Sequence, residues 1–545
     1  MLLSILGALS GCTTGNTDGD GGRGGFDAGD PLSGCDPSQD ADGDGIADAA
    51  EGRADSDGDG TPNDQDLDSD GDGISDNNEH MGNIACSLPD ADDDGIPNWL
   101  DTDSDNDGLS DADEVSVYST DPYDIDTDGD MVTDLGEALG TRTDPNDPSS
   151  TIDPGDFFVV LPYNGMPENR MLRFDTNLQR ADLYFLIDTT GSMGEAIANV
   201  SSSLSSIASQ VRMRIPNVQL GVGQYRDFPN DTGGFSFDAY GGPGDMPYRN
   251  EQDITDDLAA VQAALGRLSA GGGADGPEAS TEALYQTATG EGANWSFTGG
   301  APPFDLPRKS CVAVPDEIGR RRGYPCFRPD ALPIVVLVTD APFHNGPGGS
   351  NAYVGISPMP HFLDQSIAAL NAIGARVIGV AVNAANPDEV EVARMTGTVD
   401  TSGMPLVYDA AGGTVSTAII NGIETIAGRT PQDVDAITEN VDGNPDGFDA
   451  TMFIKAITPV EGYNGTASGP MPGITYRDKD ANFFYDLVPG TVAEFDVRFL
   501  NDVRPPAATA QIFRATIIVR GNRVARLDSR NVYIVVPPDG AIILI

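Results

Sequence analysis

The sequence has few basic residues, few histidines and no long apolar stretch. Against 86 Asp and Glu it has only 30 Lys and Arg, so the formal net charge is -56. A chain of this charge repels nucleic acid and anionic lipid and attracts cations, so we expect no nucleic-acid partner. After the N-terminal segment, no apolar run is long enough to span a bilayer. Any contact with a membrane is therefore expected to go through a lipid anchor.

Sequence motifs of common enzymes are also missing. The chain has no His-Glu-x-x-His, no Gly-x-Ser-x-Gly and no P-loop lysine, and it contains three histidines. These motifs mark zinc peptidases, α/β-hydrolases and P-loop NTPases. We expect the protein not to be an enzyme, and a metal-binding subunit of an enzyme is the least favoured alternative.

The N-terminus has the features of an export signal. Residues 1–12 are apolar and end in small residues, which is typical of a signal peptide. Leu9-Ser-Gly-Cys12 resembles a bacterial lipobox, and the resemblance implies lipid modification of Cys12 and a place in the cell envelope, as an outer-membrane or cell-surface lipoprotein. A plain secretory signal is the alternative, since no Lys or Arg precedes Cys12. Residues 13–34 are rich in Gly and Asp and are predicted to form a flexible tether.

The other cysteines are even in number. Cys35, Cys86, Cys311 and Cys326 lie in a chain that is predicted to be exported, where disulfides form. Three pairings are possible. We predict the pairing of nearest neighbours, Cys35 with Cys86 and Cys311 with Cys326.

A twelve-residue pattern recurs six times between Asp40 and Glu137. Each copy has oxygen-bearing side chains at positions 1, 3, 5, 9 and 12, and all but the last, which has Met131, have Gly at position 6. This is the ligand arrangement of a calcium loop, in which Gly permits a sharp turn. The predicted Ca²⁺ ligands are, loop by loop, Asp40, Asp42, Asp44, Asp48 and Glu51; Asp55, Asp57, Asp59, Asn63 and Asp66; Asp68, Asp70, Asp72, Asp76 and Glu79; Asp90, Asp92, Asp94, Asn98 and Asp101; Asp103, Asp105, Asp107, Asp111 and Glu114; and Asp126, Asp128, Asp130, Asp134 and Glu137.

The spacing of the loops leaves no room for the flanking helices of an EF-hand, because the third loop begins at Asp68, two residues after Asp66 ends the second. The alternation of short and long spacings resembles thrombospondin type 3 repeats. That resemblance implies that residues 35–150 form a rod wrapped around calcium ions, with little hydrophobic core. The few apolar residues available for packing are Ile46, Ile74, Ile96, Trp99, Leu109 and Val132. A disordered acidic linker is the alternative, but it does not account for the register of Gly and the twelfth carboxylate.

Two further domains follow. Apolar runs at 218–223, 334–339 and 377–382 are typical of parallel strands buried on both faces, and helices with one apolar face lie between them. Residues 180–430 are therefore predicted to form a doubly wound, Rossmann-like α/β domain whose ligand site lies at the carboxyl ends of the strands. Residues 431–545 alternate apolar and polar residues around a Gly521-Asn522 turn, which favours an all-β sandwich of immunoglobulin-like type.

The first predicted strand of the α/β domain ends in Asp188-Thr-Thr-Gly-Ser192. Oxygen ligands at the end of a buried strand suit a hard divalent cation. The motif resembles the Asp-x-Ser-x-Ser sequence of von Willebrand factor A (vWA) domains, which hold a metal ion in an adhesion site. By that resemblance Asp188, Thr190 and Ser192 are ligands from the first loop. A capped strand-to-helix turn is the alternative interpretation of Asp188 and Ser192.

The same resemblance supplies two further loops. Asp275-Gly-Pro-Glu278 is similar to the acidic second loop of integrin-β-like members, which implies Asp275 and Glu278 as ligands. Asp340, after the apolar run 334–339, matches the third loop. The metal is expected to be Mg²⁺ or Mn²⁺, completed by a carboxylate from a protein partner. We interpret His344 as a loop residue outside the ligand set.

Together these features predict an exported, calcium-binding lipoprotein that binds proteins or mediates adhesion through a metal ion. The principal alternative is a structural stalk of the cell envelope in which the metal site has lost its function.

Overall fold

A computed structural model describes residues 34–537 apart from 83–84, 93, 131, 152–154, 230–239, 299–300, 313, 315–316, 318, 383–385, 468, 472, 474 and 508–509. The predicted signal peptide, Cys12 and the tether up to residue 33 lie outside the described residues. The chain divides into two compact units, which meet in sequence at Ile152 and Asp153. Among the described residues, none of the helices combines the length and the apolar character needed to cross a bilayer.

The first unit consists of loops joined by short helices. Its α-helices are α1 (Asp48–Glu51), α2 (Asp76–Glu79) and α3 (Asp111–Asp113), with 3₁₀ turns at Asn63–Gln65 and Asn98–Leu100 and π-helical turns at Glu114–Tyr118 and Gly136–Thr141. Each α-helix begins at the ninth position of a predicted calcium loop, so the helices are the closing turns of the loops.

Few apolar side chains are buried in the first unit. Ile46 and Trp99 are fully buried, and Leu109 and Val132 nearly so. Ile96, which the sequence analysis counted among the packing residues, is 43% exposed. The prediction was wrong at this residue. A core of this size stabilises the unit only weakly through apolar burial.

The second unit is a mixed α/β structure with several sheets. Its strands are β1 (Phe157–Val160), β2 (Glu168–Asp175), β3 (Arg180–Asp188), β4 (Asn217–Tyr225), β5 (Arg249–Thr255), β6 (Ala293–Phe297), β7 (Phe304–Leu306), β8 (Leu332–Thr339), β9 (Ile356–Ser357), β10 (Arg376–Val382), β11 (Val407–Ala410), β12 (Gln432–Asn440), β13 (Ile454–Thr466), β14 (Gly469–Met471), β15 (Asp478–Lys479), β16 (Phe483–Leu487), β17 (Val492–Phe499), β18 (Gln511–Gly521) and β19 (Ala525–Val536). Its α-helices are α4 (Gly194–Arg212), α5 (Leu258–Leu265), α6 (Ser280–Thr289), α7 (Leu363–Ala372), α8 (Pro387–Met395) and α9 (Val415–Arg429).

Six strands form the central sheet of the α/β domain, in the order β11-β10-β8-β3-β4-β5. The first five in that order pair in parallel, and β5 pairs antiparallel with β4 at the edge. The side chains of β3 alternate between two cores. Leu183, Phe185 and Ile187 pack in a core with α4, α5 and α9, whereas Tyr184 and Leu186 pack in a core with α6, α7 and α8. The predicted burial of this sheet on both faces is confirmed.

Two other sheets face each other and form a sandwich, with strand orders β1-β19-β18-β12-β16-β15 and β14-β13-β17-β2. Phe495 of β17 contacts Phe484 of β16 across the interface, with ring centroids 5.4 Å apart. Phe157 of β1 likewise meets Phe499 of β17 at 5.9 Å. The predicted turn at Gly521-Asn522 does join two antiparallel strands, β18 and β19.

The sandwich takes strands from both sides of the α/β domain in the sequence. β1 pairs in parallel with β19, and β2 pairs antiparallel with β17. The α/β domain is therefore inserted into the sandwich, and the predicted boundary at residue 431 leaves out two of its strands. On the α/β side, Arg376 at the start of β10 donates to Oδ1 of Asn522 at 2.9 Å. This contact lies at the edge of the sheet opposite the carboxyl ends of the strands.

Both disulfides are present as predicted. Cys35 bonds to Cys86 in the first unit, and Cys311 bonds to Cys326 in the second.

Candidate metal centres

Asp188 is fixed at the carboxyl end of the central strand β3, where it is fully buried. Its Oδ1 accepts hydrogen bonds from the amide and the hydroxyl of Thr190, at 2.8 and 2.7 Å. Its Oδ2 accepts one from the hydroxyl of Thr339, at 2.8 Å. Thr339 is the last residue of the neighbouring strand β8, so two strand ends together hold the carboxylate in one orientation.

Three loops converge at this edge of the sheet, around a cavity of about 300 Å³. They are the Asp188 loop (188–192), the Glu278 loop (271–278) and the Asp340 loop (340–344). The residues that line the cavity are Thr190, Gly191, Ser192, Gly272, Gly273, Asp275, Gly276, Glu278, Asp340 and Ala341. The structure thus brings five of the six ligands predicted from the three motifs to one cavity, and the sixth, Asp188, is hydrogen-bonded to Thr190.

The Glu278 loop is held by backbone hydrogen bonds to the Asp340 loop. The amide of Glu278 donates to the carbonyl of Pro342, and the amide of His344 donates to the carbonyl of Glu278, both at 2.9 Å. Oε2 of Glu278 is buried and has no hydrogen-bond partner among the described residues. A buried carboxylate oxygen without a partner is costly, and a cation in the cavity would satisfy it.

Close packing around Gly273 sets the position of the Glu278 carboxylate. A Cβ at Gly273 would lie 2.8 Å from Oε1 of Glu278 and 3.2 Å from Cγ2 of Thr190. Gly273 also has a φ of +75°, which side-chain-bearing residues rarely adopt. Its amide donates to Oδ2 of Asp245 at 2.9 Å, and Asp245 is paired with Arg226. Asp245 therefore braces the loop, a role that the sequence analysis missed.

The electrostatics of the cavity favour a bound cation. Burial raises the pKa of Glu278 to about 10, and the carboxylates of Asp188, Asp227 and Asp275 add to the shift. Burial also raises the pKa of Asp188 to about 6, although the hydrogen bonds from Thr190 and Thr339 oppose it. Both pKa values rise because the carboxylates lie close together in a poorly solvated place, where their negative charges are unfavourable. A divalent ion bound there would favour the ionised carboxylates and neutralise their charge.

Two residues that the sequence analysis left out of the site lie beside Asp275. Nε2 of His344 is 3.1 Å from Oδ2 of Asp275 and 3.3 Å from Oδ2 of Asp227. His344 and Asp227 are both buried. His344 is thus more than a connecting loop residue. A histidine four residues after the predicted ligand Asp340 was the available signal, but nothing in the sequence connects it with Asp227.

In the first unit, many predicted calcium ligands have buried carboxylate oxygens that accept no hydrogen bond from the described residues. These oxygens belong to positions 3, 5 and 12 in several loops and to position 9 in the first. They are Oδ2 of Asp42, Asp44, Asp70, Asp72, Asp105, Asp128 and Asp130, Oδ1 of Asp48, both carboxylate oxygens of Glu51, Glu79 and Glu137, and Oε2 of Glu114. Because so many orphaned acceptors recur at the predicted ligand positions, the residues fit a hard cation such as Ca²⁺.

Backbone hydrogen bonds shape each loop around its first three carboxylates. In the third loop the amide of Gly73 donates to Asp68, and the amide of Ile74 donates to Asp72 at 2.7 Å. Equivalent hydrogen bonds to the fifth position recur in the other loops, for example from Leu109 to Asp107 at 2.7 Å. The glycine at position 6 has a positive φ in the first five loops, as the turn requires.

The ninth position mostly closes the loop. Oδ1 and Oδ2 of Asp76 accept hydrogen bonds from the amide and hydroxyl of Ser69, at 2.7 and 2.6 Å. Asp111 makes the same pair of contacts with Ser104. In calcium loops the residue at this position often binds the ion through a water molecule. The hydrogen bonds from Ser69 and Ser104 are compatible with that indirect role.

The twelfth position distinguishes two kinds of loop. The first, third, fifth and sixth loops have Glu there, with at least one orphaned oxygen each. The second and fourth have Asp66 and Asp101, each of which accepts a hydrogen bond from the first residue of the next loop, Asp68 or Asp103. The Glu loops therefore offer more unpartnered carboxylate oxygens than the Asp loops among the described residues.

Burial and mutual repulsion raise the pKa of the acidic groups in the Glu loops. The pKa of Glu79 rises to about 10 through burial and the charges of Asp70 and Asp72. Burial also raises the pKa of Glu51 and Glu114 to about 9. The neighbouring charges that raise these pKa values are those of other carboxylates, so a bound cation would supply a counter-charge.

No protein-family model matches the chain, and no curated protein matches it. Solved structures that resemble parts of it include a von Willebrand factor type A protein from Catenulispora acidiphila, at 13% identity and a TM-score of 0.30, covering 70% of this chain and 72% of that chain. The pilus adhesin SpaC from Lactobacillus rhamnosus GG, in its open conformation, matches at 11% identity and a TM-score of 0.27, covering 68% of this chain and 45% of that chain. Proximal thread matrix protein 1 from the mussel byssus matches at 13% identity and a TM-score of 0.26, covering 49% of this chain and 50% of that chain. At these values the similarity does not assign a family to the chain.

Proposed function

We propose that this protein binds other proteins through a metal ion held at the Asp188, Glu278 and Asp340 loops, as a vWA domain does. The observation that carries the proposal is the convergence of all three predicted loops on one cavity, with the orphaned Oε2 of Glu278 beside it. Thr190 and Ser192 would offer hydroxyl oxygens, and Asp275, Glu278 and Asp340 carboxylates. This donor set suits Mg²⁺ or Mn²⁺.

The chemistry of the site favours binding over catalysis. The hydroxyls and carboxylates around the cavity would leave a hard cation with positions for a further oxygen ligand. A carboxylate from the partner is the natural occupant of such a position. An acidic protein side chain would thus complete the metal shell, and the protein itself would not act as an enzyme.

The first unit is proposed to be a calcium-stabilised structural element. Two like charges about 4 Å apart repel by about 4 kcal/mol at an effective dielectric of ~20, and the loops contain many such pairs. Calcium at the roughly millimolar concentrations typical of extracellular modules would remove this repulsion. In a chain anchored to the cell envelope by a lipid at Cys12, such a segment would separate the binding domain from the membrane.

The test compares the full-length protein with its Asp188→Ala variant in calcium-saturated buffer. Mn²⁺ binding is counted by electron paramagnetic resonance, and capture of proteins from envelope extracts is scored by their elution with chelator. We expect Asp188→Ala to lose one Mn²⁺ and the chelator-eluted partner, and an added excess of acetate to weaken capture by the wild type. Asp364→Ala, which removes an exposed carboxylate on α7, serves as the control.

Retention of both Mn²⁺ and partner by Asp188→Ala would reject metal-mediated binding. Loss of the Mn²⁺ without loss of the partner would instead favour the structural-stalk alternative.

A further inference from the structure

The segment between β7 and β8 has a cluster of basic residues in an otherwise strongly acidic chain. Five of the 30 Lys and Arg of the protein lie between residues 308 and 322. Four of them line a cavity of about 400 Å³. The residues that line it are Arg308, Lys309, Ser310, Cys311, Arg320 and Arg321. Among the residues that the structure describes, no carboxylate belongs to this lining, so the cavity is a local region of positive charge.

The two walls of the cavity are held in place. Residues 308–311 form one wall and residues 320–321 the other. The disulfide to Cys326 ties the end of the first wall to the turn that follows the second. Nη1 of Arg321 donates to the backbone carbonyl of Ile254 at 3.3 Å. The basic groups therefore stay close together although their like charges repel.

Two of the four basic side chains are neutralised by neighbouring acids. Nζ of Lys309 lies 2.7 Å from both carboxylate oxygens of Asp253. Nε and Nη2 of Arg321 donate to the two carboxylate oxygens of Glu317, at 2.8 and 2.6 Å. These two side chains therefore contribute little net charge to the cavity.

The other two side chains keep their charge. Arg308 and Arg320 are exposed and form no ion pair with a described residue. The hydroxyl of Ser310 is a further donor in the same lining. A guanidinium group is a planar fork of donors that matches two oxygens of a phosphate or sulfate. The cavity thus combines two uncompensated forks and a hydroxyl, which is the donor set of an oxyanion site.

We propose that this cavity binds a single phosphate or sulfate group carried on an otherwise neutral molecule, such as a sugar ester. The three terminal oxygens of such a group can accept from both forks at once, whereas the two oxygens of a carboxylate suit one fork. The rest of the protein selects against polyanions, because a net charge of -56 repels any ligand whose charges extend beyond the cavity. A ligand with one charged group is exposed mainly to the local attraction.

The cavity lies away from the adhesion-type site, which is the site formed by the Asp188, Glu278 and Asp340 loops. Its wall contacts Ile254 of β5, next to the residue that pairs with Leu220 near the amino end of β4. The three loops, by contrast, are at the carboxyl ends of the parallel strands. The oxyanion site therefore does not depend on the proposed protein-binding function.

The experiment measures the binding of glucose 6-phosphate and glucose 6-sulfate to the full-length protein by isothermal titration calorimetry, in calcium-saturated buffer of low ionic strength. Glucose and inorganic sulfate are the reference ligands, one without charge and the other without the sugar. The variants are Arg308→Gln and Arg320→Gln, which each remove one exposed fork. Arg212→Gln is the matched control, because Arg212 is likewise exposed and without an ion pair to a described residue, but lies at the end of α4.

We expect the wild type, Arg212→Gln and Asp188→Ala to bind one ester per chain, more weakly as salt is added, and not to bind glucose. Each site variant should lower the affinity for both esters by about tenfold or more, while circular dichroism shows that it is folded. Absence of ester binding to the wild type, or equal affinities of the wild type and both site variants, would overturn the proposal. Inorganic sulfate that binds as tightly as the esters would reject an ester as the ligand. Loss of ester binding in Asp188→Ala alone would place the ester on the adhesion-type metal and would also overturn the proposal.

Discussion

The backbone amide of Leu135 donates a hydrogen bond of 2.8 Å to Oδ2 of Asp107. Leu135 belongs to the sixth calcium-type loop, and Asp107 is a predicted ligand of the fifth. Asn106 of the fifth loop in turn donates to Oδ2 of Asp92 in the fourth, at 2.6 Å. Adjacent loops are thus connected through the carboxylates that are predicted to hold calcium, so ordering of one loop should favour ordering of the next.

We predict that calcium binding to the fourth, fifth and sixth loops is coupled. Glu137→Gln removes the charge of a predicted ligand of the sixth loop, and it should raise the calcium midpoint reported by Trp99 at least twofold and make the transition shallower. Trp99 is buried beside His80, in the turn that closes the fourth loop. The measurement is tryptophan fluorescence during a calcium titration in a Trp295→Phe background, which leaves Trp99 as the single tryptophan.

Asp113→Asn is the control for this experiment, because Asp113 is an exposed acid outside the ligand pattern. It should leave the calcium midpoint reported by Trp99 unchanged within experimental error. An unchanged Trp99 transition in Glu137→Gln would mean that the loops bind calcium independently.

The adhesion-type site makes a second prediction, at a glycine. Gly273→Ala would place a methyl group 2.8 Å from Oε1 of Glu278, in a backbone conformation with φ of +75°. We expect at least a tenfold loss of Mg²⁺ or Mn²⁺ affinity and a loss of about 1 kcal/mol or more in the free energy of unfolding. Affinity is measured by isothermal titration in excess calcium.

Gly271→Ala is the matched control two residues away, since its added methyl group would meet nothing within 4 Å. It should bind metal like the wild type. Equal affinities for the two variants would show that the Glu278 carboxylate does not hold the ion.

The residues of the three loops could be predicted because each follows a recognisable local pattern. Asp188 and Asp340 end apolar runs, and Asp275-Gly-Pro-Glu278 is a contiguous motif. The cluster of Asp227 and His344 could not be predicted, because only the packing of three loops brings these residues together. The doubly wound sheet was predictable for the same local reason, since strands buried on both faces are apolar throughout.

The strands that precede the α/β domain are the part of the fold that could not be predicted from the sequence. β2 is mostly polar and half exposed, so its sequence does not read as part of a core. Its partner is β17, and Asn169 meets Asp496 across 327 residues of chain. Pairing over such a separation has no local signal, and residues 157–175 were therefore assigned to no domain.

Glu389 makes a third prediction, concerning stability. It lies on α8, is almost fully buried, and neither of its carboxylate oxygens makes a well-formed hydrogen bond to a described residue. Burial raises the pKa of Glu389 well above its usual 4.5, which the amide of Val380 only partly opposes. The folded state therefore keeps a proton that the unfolded state releases, and the free energy of unfolding falls as the pH rises above 4.5.

Glu389→Gln mimics the protonated form and should remove this loss. The variant should equal the wild type below pH 4.5 and exceed it by about 1.4 kcal/mol for each pH unit above that, until the pH reaches the pKa of the folded protein. Unfolding is followed by Trp295 fluorescence in a Trp99→Phe background between pH 4 and pH 8. Glu391→Gln, on the same helix but paired with Arg394 at the surface, should show no such gain. A difference in unfolding free energy between Glu389→Gln and the wild type that does not change with pH would contradict a raised pKa at Glu389.

The disulfide between Cys35 and Cys86 carries the last prediction, because it closes a chain segment of 51 residues that contains the first three calcium-type loops. Without cations this segment repels itself, so the disulfide restricts an expanded chain and reduces the entropy lost on ordering. By the chain-entropy estimate, a closed loop of this length stabilises the folded state by about 4 kcal/mol at 25 °C. Replacing both cysteines with serine should therefore raise the calcium concentration needed to fold the first unit severalfold, as followed by circular dichroism. The Cys311→Ser/Cys326→Ser variant, whose disulfide lies in the second unit, should leave that calcium midpoint unchanged, and equal midpoints for all three proteins would show that the first unit is already compact before it binds calcium.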